Sequence, residues 1–280
     1  MAPLRSADRA AVAIVGIVCV VALFANAIAP GNPFAMSNDV LQPPSSRHPF
    51  GTDDLGRDLF RAVIHGTRAS LAIAVGSAAA AVTLGVLIGG AAGSAGGLID
   101  EALMRLTELF QVVPRFFLTL AAAAMIGSRL GTLTLLLGLT SWTTIARTVR
   151  AQVLSIRELD HVAAAHAAGA SASRVLARHI LPLTVEPVIA LASLQASGAI
   201  IIEAGVSFLG LGDPTAMTWG ALLRDGHHLL RAAWWTAVFP GVALTTTVLG
   251  IHLLSDAFSP GRAPARRAYD ESGVTDQEAR

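Results

Sequence analysis

Long stretches of this sequence contain no Asp, Glu or Arg, and they constrain the fold more than any other feature does. Roughly 20 consecutive apolar residues are enough to cross a lipid bilayer. Such stretches recur along most of the chain, which predicts an all-α polytopic membrane protein with six transmembrane helices. The predicted spans are Ala11–Ala29, Ala69–Ile99, Leu106–Ser128, Leu130–Ala146, Pro187–Ile202 with an extension to Leu211, and Ala232–Ser255.

The third predicted span differs from the others because it contains charged residues. Glu108 and Arg115 lie inside it, and Pro114 is expected to kink the helix or to end a half-helix. A charge inside the membrane is a candidate functional group by default. We therefore expect Arg115 either to belong to the translocation pathway or to pair with a carboxylate of a neighbouring subunit. Glu203, near the outer end of the fifth span, is expected to line the passage or to hold a subunit interface.

The composition excludes several classes of protein. Apolar residues make up 53% of the 280 and charged residues only 14%, whereas a soluble domain has about a quarter of its residues charged. Much of the chain is therefore expected to contact membrane lipid or its own helices. All 20 basic residues are Arg, so a P-loop and a Schiff-base enzyme, which both need Lys, are excluded. The single cysteine, Cys19, can form neither an internal disulfide nor a Cys-based zinc site.

The distribution of arginines predicts the orientation in the membrane. If the N-terminus lies inside, twelve arginines fall in cytoplasmic segments and seven in outer segments. The excess of positive charge on cytoplasmic loops favours this arrangement, with both termini in the cytoplasm. In the polar loop between spans one and two, Asp53, Asp54, Arg57 and Asp58 predict a solvated segment with a helix-capping role. Tryptophans near the loop between spans five and six predict an interfacial belt, and they are Trp219, Trp234 and Trp235.

The cytoplasmic segment Arg147–Leu181 is too long to be a simple helix connector. Its Ala-rich part, Glu158–Ala168, is expected to be helical, Gly169 to stop that helix, and Ser171 to cap a second one. The second helix is expected to run to Ile180 and to end at Leu181-Pro182. We call this predicted helix–turn–helix the elbow. Its small side chains suit a groove of another protein closing over them, while the alternative is an ordinary amphipathic loop helix.

The elbow also resembles a known motif. Asp160 to Ser171, followed by Leu181-Pro182, is similar in residues and spacing to the EAA loop of binding-protein-dependent ABC importer permeases. Other segments resemble the dipeptide, oligopeptide and nickel branch of that family, and in particular the second permease of its pair. The resemblance covers roughly Ala11 to Asp256. These further segments are His48-Pro49-Phe50-Gly51-Thr52-Asp53, Ser207-Phe208-Leu209-Gly210-Leu211-Gly212, Trp219-Gly220 and Phe239-Pro240-Gly241.

The resemblance implies the fold of type I ABC importer permeases, a multi-pass location in the cell inner membrane, and no catalytic or metal site. It implies no cofactor on this chain, with ATP and Mg bound by partner subunits. The implied partners are a second homologous permease, two ATP-binding subunits and a periplasmic or lipid-anchored substrate-binding protein, with no nucleic acid. The residues implied to couple the chain to its ATPase are Asp160, Ala163, Ala164, Ala165, Gly169, Ala170, Arg174, Leu181 and Pro182.

One residue departs from the family pattern. Ala163 stands where the motif begins with Glu, so any polar contact of that Glu with the ATPase is missing here; Glu158 or Asp160 could substitute. The cargo implied by the resemblance is a short peptide, with nickel or another chelated metal as the alternative. The chain divides into residues 1–66 with the first span and outer loop, 67–256 with the transmembrane domain and coupling loop 147–181, and a cytoplasmic tail 257–280.

Two other classes of membrane protein fit the sequence less well than an importer subunit does. An intramembrane enzyme would need a nucleophile–base pair or a metal set, and neither a Gly-x-Ser-x-Gly nor a His-Glu-x-x-His motif occurs. A stand-alone secondary transporter would be expected to show internal repeats and paired ionisable residues near the middle of the membrane. Neither feature stands out in this sequence.

Overall fold

A computed structural model of the chain describes residues 6–257, so the predicted tail lies outside the described residues except for Ala257. The described chain is helical, and its only strand-like feature is an isolated bridge between Thr52 and Asp58. The helices are α1 (Ser6–Leu23), α2 (Ala25–Ile28), α3 (Leu59–Ala95), α4 (Gly97–Val112), α5 (Arg115–Ile126), α6 (Leu130–Ile156), α7 (Asp160–Ala167), α8 (Ala172–Val175), α9 (Val185–Val206), α10 (Trp219–Gly226) and α11 (Trp235–Ala257).

The lengths of the apolar helices confirm a multi-pass membrane protein. Three helical stretches are long and apolar enough to cross a membrane, namely Leu59–Ala95, Ala172–Leu211 and Trp235–Asp256. The pair α4 and α5, bent by 81°, makes a fourth if it is one broken span, and Arg9–Leu23 is a shorter apolar helix. The fourth predicted span lies in α6, which runs on through Arg147 and Arg150 to Ile156. By length and composition alone, the described residues thus contain three or four spans.

Local features explain the start of α3 and the break between α4 and α5. The second span was expected to begin at Ala69, but α3 begins at Leu59 because the carboxylate of Asp58 accepts a hydrogen bond from the backbone N–H of Arg61 at 3.1 Å. The segment predicted as the third span consists of two helices, α4 and α5, as Pro114 predicted. Pro114 is the residue before the first turn of α5 and separates it from α4, which ends at Val112.

Glycines allow α3 and α6 to pack closely along their length. A Cβ atom at Gly85 would lie 2.6 Å from the Cβ of Ile145, and one at Gly93 would lie 2.7 Å from the Cβ of Val153. Separations this short are not tolerated between real side chains. Small residues at a helix interface are what allow membrane helices to approach each other. The α3–α6 pair therefore forms the centre of the described bundle, and α9 also packs against α3.

The loop before α3 is more buried than the sequence predicted. Arg57 and Asp53 are only 8% and 4% exposed, and Arg57 Nε lies 2.5 Å from Asp53 Oδ2. Arg57 Nη2 also donates to Asp225 Oδ2 at 2.9 Å, which ties the loop to α10. Burial lowers the pKa of Arg57, but the hydrogen bonds and charges of the two carboxylates outweigh it, so the pKa is raised. The prediction of a solvated segment was wrong for these residues, while Asp58 caps α3 as expected.

The predicted interfacial belt of tryptophans was also wrong for two of its three members. Trp219 and Trp235 are buried, and their indole N–H groups donate to the backbone carbonyls of Val63 at 3.2 Å and Thr52 at 3.0 Å. Only Trp234 is exposed, with 51% of its surface accessible. A buried indole needs a partner for its N–H, and each of these two finds a carbonyl on the loop–α3 segment.

Candidate coupling site

The elbow is attached to the helix bundle by two valines. Val162 of α7 and Val175 of α8 are each 1% exposed and join a buried cluster with Ile145, Val149 and Val153 of α6. Burying a Val side chain stabilises by roughly 1.5–3 kcal/mol, so the two residues hold both short helices against α6. Neither valine was among the predicted coupling residues. The signal available was a β-branched apolar residue inside an otherwise Ala-rich helix.

Gly169 ends α7 as predicted. Its backbone has φ of +82°, the left-handed conformation that side chains other than Gly adopt at a cost. The N–H of Gly169 donates to the carbonyl of His166 at 2.9 Å, and the N–H of Ala170 donates to the carbonyl of Ala165 at 3.1 Å. This pair of bonds is the Schellman motif of helix C-termini. No atom lies within 4 Å of a Cβ placed at Gly169, so the need for Gly is conformational and not one of space.

Ser171 occupies the predicted N-cap position of the second helix but does not cap it with its side chain. Among the described residues no backbone N–H of α8 donates to its hydroxyl oxygen, which lies 3.4 Å from the hydroxyl of Ser173. The carbonyl of Ser171 accepts from the N–H of Val175 at 2.9 Å. The start of α8 is therefore maintained by backbone geometry after Gly169 and by the burial of Val175.

The predicted coupling residues fall into two groups. Ala165, Ala170 and Leu181 are partly buried and pack against the cluster that contains Val162 and Val175. The rest of the set lies on the outer surface of the elbow. The exposed members are Asp160, Ala163, Ala164, Gly169, Arg174 and Pro182. The elbow thus presents a surface of mostly small side chains on a framework that its own core holds in place.

Two acidic side chains lie near Ala163, where the family motif has Glu. Asp160 is in the first turn of α7 and is exposed. Glu158 is exposed as well and accepts a hydrogen bond from Arg157 Nε at 3.1 Å. Both carboxylates are accessible to a partner. The substitution of one of them for the missing Glu stays a prediction.

The second helix of the elbow does not end at Leu181-Pro182, and that prediction was wrong. Residues Leu176–Ile180 form a π-helical turn, Leu181–Thr184 form a 3-10 turn, and α9 follows directly. Pro182 is accommodated because it lies at the start of the 3-10 turn, where its missing N–H leaves no helical bond unmade. The elbow therefore continues into the fifth span as one helical stretch from Ala172 to Leu211.

Arg115 lies at the start of α5 and reaches two other helices. Its Nη1 donates to Ser141 Oγ of α6 at 3.0 Å and to Gln195 Oε1 of α9 at 2.5 Å. Gly198 makes room for it, since a Cβ there would lie 2.8 Å from Arg115 Nη2. Both partners are neutral, and no carboxylate of the described residues forms an ion pair with this guanidinium.

Glu203 lies inside the chain and not at its surface. It is 1% exposed, its Oε1 accepts a hydrogen bond from Ser207 Oγ at 2.6 Å, and its Oε2 has no partner among the described residues. No Arg pairs with it in residues 6–257. The turn at Ser207–Leu211 and helix α10 pack beside the end of α9 that holds Glu203, and its role at a passage or an interface stays a prediction.

The described part of the chain contains no group of three or more His, Cys, Asp or Glu side chains arranged to hold a metal ion. The elbow is packed against α6 and is continuous with α9.

Known transport proteins are similar to this chain in sequence. Residues 81–263 match the family described as the binding-protein-dependent transport system inner membrane component. The dipeptide transport system permease protein DppC of Bacillus subtilis is 36% identical over 80% of this chain and 71% of its own length. A peptide transport system permease protein of Brucella suis is 37% identical over 90% of this chain and 86% of its own length.

The DppC protein of Alkalihalophilus pseudofirmus is 34% identical over 81% of this chain and 75% of its own length. The family match covers more than half of the chain and includes the elbow, α6 and α9. The chain belongs to the permease family of binding-protein-dependent transport systems, the inner-membrane components of these importers.

Proposed function

We propose that this chain is the membrane-spanning permease subunit of an ATP-driven importer that moves short peptides across the inner membrane. The observation that carries the proposal is the elbow, whose exposed small side chains form a surface for a partner subunit. ATP and Mg bind to two separate ATPase subunits, since the chain has no Lys for a P-loop. Their closure moves the elbow, and α9 carries that movement into the membrane.

The proposed topology has six spans and both termini in the cytoplasm. The six spans are α1 with α2, α3, the bent pair α4 and α5, α6, the stretch ending at Leu211, and α11. The distribution of Arg supports the orientation. A second homologous permease and a substrate-binding protein complete the assembly.

Peptides are the proposed cargo, in preference to nickel, because the relatives described above are named for dipeptide and peptide transport. A stand-alone secondary transporter has less support, since the family description names a component of a binding-protein-dependent system. The same description and relatives support a transport subunit over an enzyme.

Co-purification of the ATPase subunits with the chain tests the docking surface. Gly169→Asp is expected to lose them, because Asp at φ of +82° strains the Schellman turn and adds a charge to the surface. Gly127→Asp is the matched control. Gly127 also has a positive φ, of +96°, and open space around its Cβ position, but it lies between α5 and α6. Retention of the ATPases by Gly169→Asp would overturn the assignment of the elbow.

Uptake of labelled alanyl-alanine and of nickel, in cells that lack the chain and in cells that carry it again, tests the cargo. Restored uptake of the dipeptide alone is the expected result. Restored uptake of nickel alone would replace the proposed cargo with the alternative.

A further inference from the structure

Arg115 uses only part of its hydrogen-bonding capacity. A guanidinium has five N–H donors, and the bonds to Ser141 and Gln195 both come from Nη1. Among the described residues, neither Nε nor Nη2 donates to any acceptor. The buried side-chain nitrogen and oxygen atoms without a partner are His48 Nε2, Ser70 Oγ and Glu203 Oε2. Because Nε and Nη2 of Arg115 are not among them, this edge of the half-buried guanidinium is not fully enclosed by the described residues.

That open edge has the geometry for a carboxylate. The Nε and Nη2 hydrogens are parallel, and two carboxylate oxygens accept them as a bidentate pair. Ser141 and Gln195 fix the opposite edge from two different helices, so the guanidinium is already oriented. The first turn of α5 contains no acidic residue, and the positive end of that helix leaves the charge of Arg115 uncompensated.

The guanidinium also lies far from either end of α9. Gln195 is the eleventh of the 22 residues of α9, which is part of one of the membrane-spanning stretches. At 1.5 Å per residue, either end of α9 is about 15–17 Å away. A charge at such depth is costly unless it is paired, and the polar side chains that meet Arg115 are neutral. The arrangement therefore favours an anionic group that enters from outside the chain.

We propose that Arg115 binds a carboxylate of the cargo as it passes through the membrane, with Ser141 and Gln195 as the residues that position the guanidinium. The inference rests on the proposed function and narrows its substrate class to molecules with a free carboxylate, such as the C-terminus of a peptide. Gly198 is part of the site because it leaves room for Nη2. A carboxylate of the second permease is the competing partner of Arg115.

The test compares uptake of alanyl-alanine with uptake of its C-terminal amide by the complete reconstituted transporter. Both peptides are supplied at concentrations that saturate the binding protein, so its own preference cancels between variants. Arg115→Gln is expected to lower the ratio of acid to amide uptake about tenfold or more, because a hydrogen-bonded charge pair is lost. Arg115→Lys keeps the charge but not the planar guanidinium, so its ratio of acid to amide uptake should lie between that of the wild type and that of Arg115→Gln.

Arg105→Gln is the matched control, because Arg105 lies on the other half of the same bent pair and is exposed. It should leave the ratio unchanged. An unchanged ratio in Arg115→Gln would overturn the inference. Arg115→Gln could instead lower the uptake of both peptides equally and lose the second permease from the complex. That result would also overturn the inference and would show that Arg115 pairs with a carboxylate of the second permease. If the wild-type transporter carries neither peptide, the proposed function itself fails, which is a distinguishable result.

Discussion

The carboxylate of Asp213 caps a helix that begins 83 residues earlier in the chain: its Oδ2 accepts the backbone N–H of Leu130 at 2.7 Å. Its Oδ1 accepts both the backbone N–H of Thr215 at 2.8 Å and the hydroxyl of the same residue at 2.7 Å. The segment after the fifth span is thereby joined to the first turn of α6. The contact links the start of α6 to the segment after α9, and both of these helices contact Arg115.

Removal of this cap is expected to destabilise the protein in a pH-dependent manner. Burial raises the pKa of Asp213, but the hydrogen bonds from Thr215 and Leu130 and the charge of Arg129 outweigh it and lower the pKa. A lowered pKa means that the stabilisation is present above the unfolded-state value of about 3.9 and is lost as the pH falls through the folded value.

Asp213→Ala should therefore lower stability by about 1 kcal/mol at neutral pH and by less in acid, measured as the melting temperature in detergent. The same loss for Asp213→Ala at neutral and at acid pH would contradict this role of the carboxylate.

A side chain at Gly85 is expected to separate α3 from α6. Gly85→Val places its Cβ against Ile145, whose Cβ would be 2.6 Å away, and overpacking of this kind costs about 1–3 kcal/mol. Gly16→Val is the control, because Gly16 lies in the apolar helix α1 and no atom is within 4 Å of its Cβ position. The melting temperature should fall for the first variant only. A fall of equal size in both would attribute the effect to β-branching and not to packing.

The adjacent tryptophans Trp234 and Trp235 should respond differently to the same substitution. Trp235→Phe loses the hydrogen bond to the carbonyl of Thr52 and should cost about 1 kcal/mol or more, because the carbonyl is left without this donor. Trp234→Phe should change little, since Trp234 is half-exposed. Thermal unfolding of the two variants side by side provides the measurement, and equal effects would argue against the buried indole as an anchor of the outer loop.

Glu203 should tolerate the loss of its charge better than the loss of its volume. Glu203→Gln keeps an oxygen that can accept from Ser207 and removes a buried charge that has no cationic partner in the described chain. Glu203→Ala leaves a cavity and an unpaired hydroxyl, at a cost of about 2–5 kcal/mol. The melting temperature of the Gln variant should therefore equal or exceed that of the wild type. A Gln variant as unstable as the Ala variant would mean that the charge itself is required.

Restoring the acidic residue of the family motif should strengthen docking. Ala163→Glu adds a carboxylate to the exposed face of α7, and a new charged hydrogen bond to the ATPase is worth about 1.5–3 kcal/mol if its partner is present. Retention of the ATPases in rising salt is the measurement. Ala164→Glu, on a neighbouring exposed position of the same helix, should weaken retention or leave it unchanged. Equal gains in both variants would indicate a general charge effect.

Features that depend on neighbouring residues were predicted well from the sequence. The apolar stretches predicted the helices, Pro114 predicted the break between α4 and α5, and Gly169 predicted the end of α7. Each of these depends on local hydropathy or on the backbone conformations that one residue type allows. The exceptions are Leu181-Pro182 and Ser171, whose hydroxyl does not cap α8. Pro usually ends a helix, but a switch to π and 3-10 hydrogen bonding moves Pro182 to a first-turn position.

Burial and long-range partners were decided by the tertiary structure. Arg57 was predicted to be solvated, but it donates a hydrogen bond to Asp225, which is 168 positions away in the chain. Trp219 was predicted to lie at the membrane interface, but it is buried and donates to the carbonyl of Val63 in α3. The partners of Arg115 likewise lie 26 and 80 positions along the chain. The sequence by itself determined which segments are helical, which family they belong to and where the elbow lies. Only the packing of those helices decided which polar groups share a site, because a hydrogen bond depends on distance in space and not on separation along the chain.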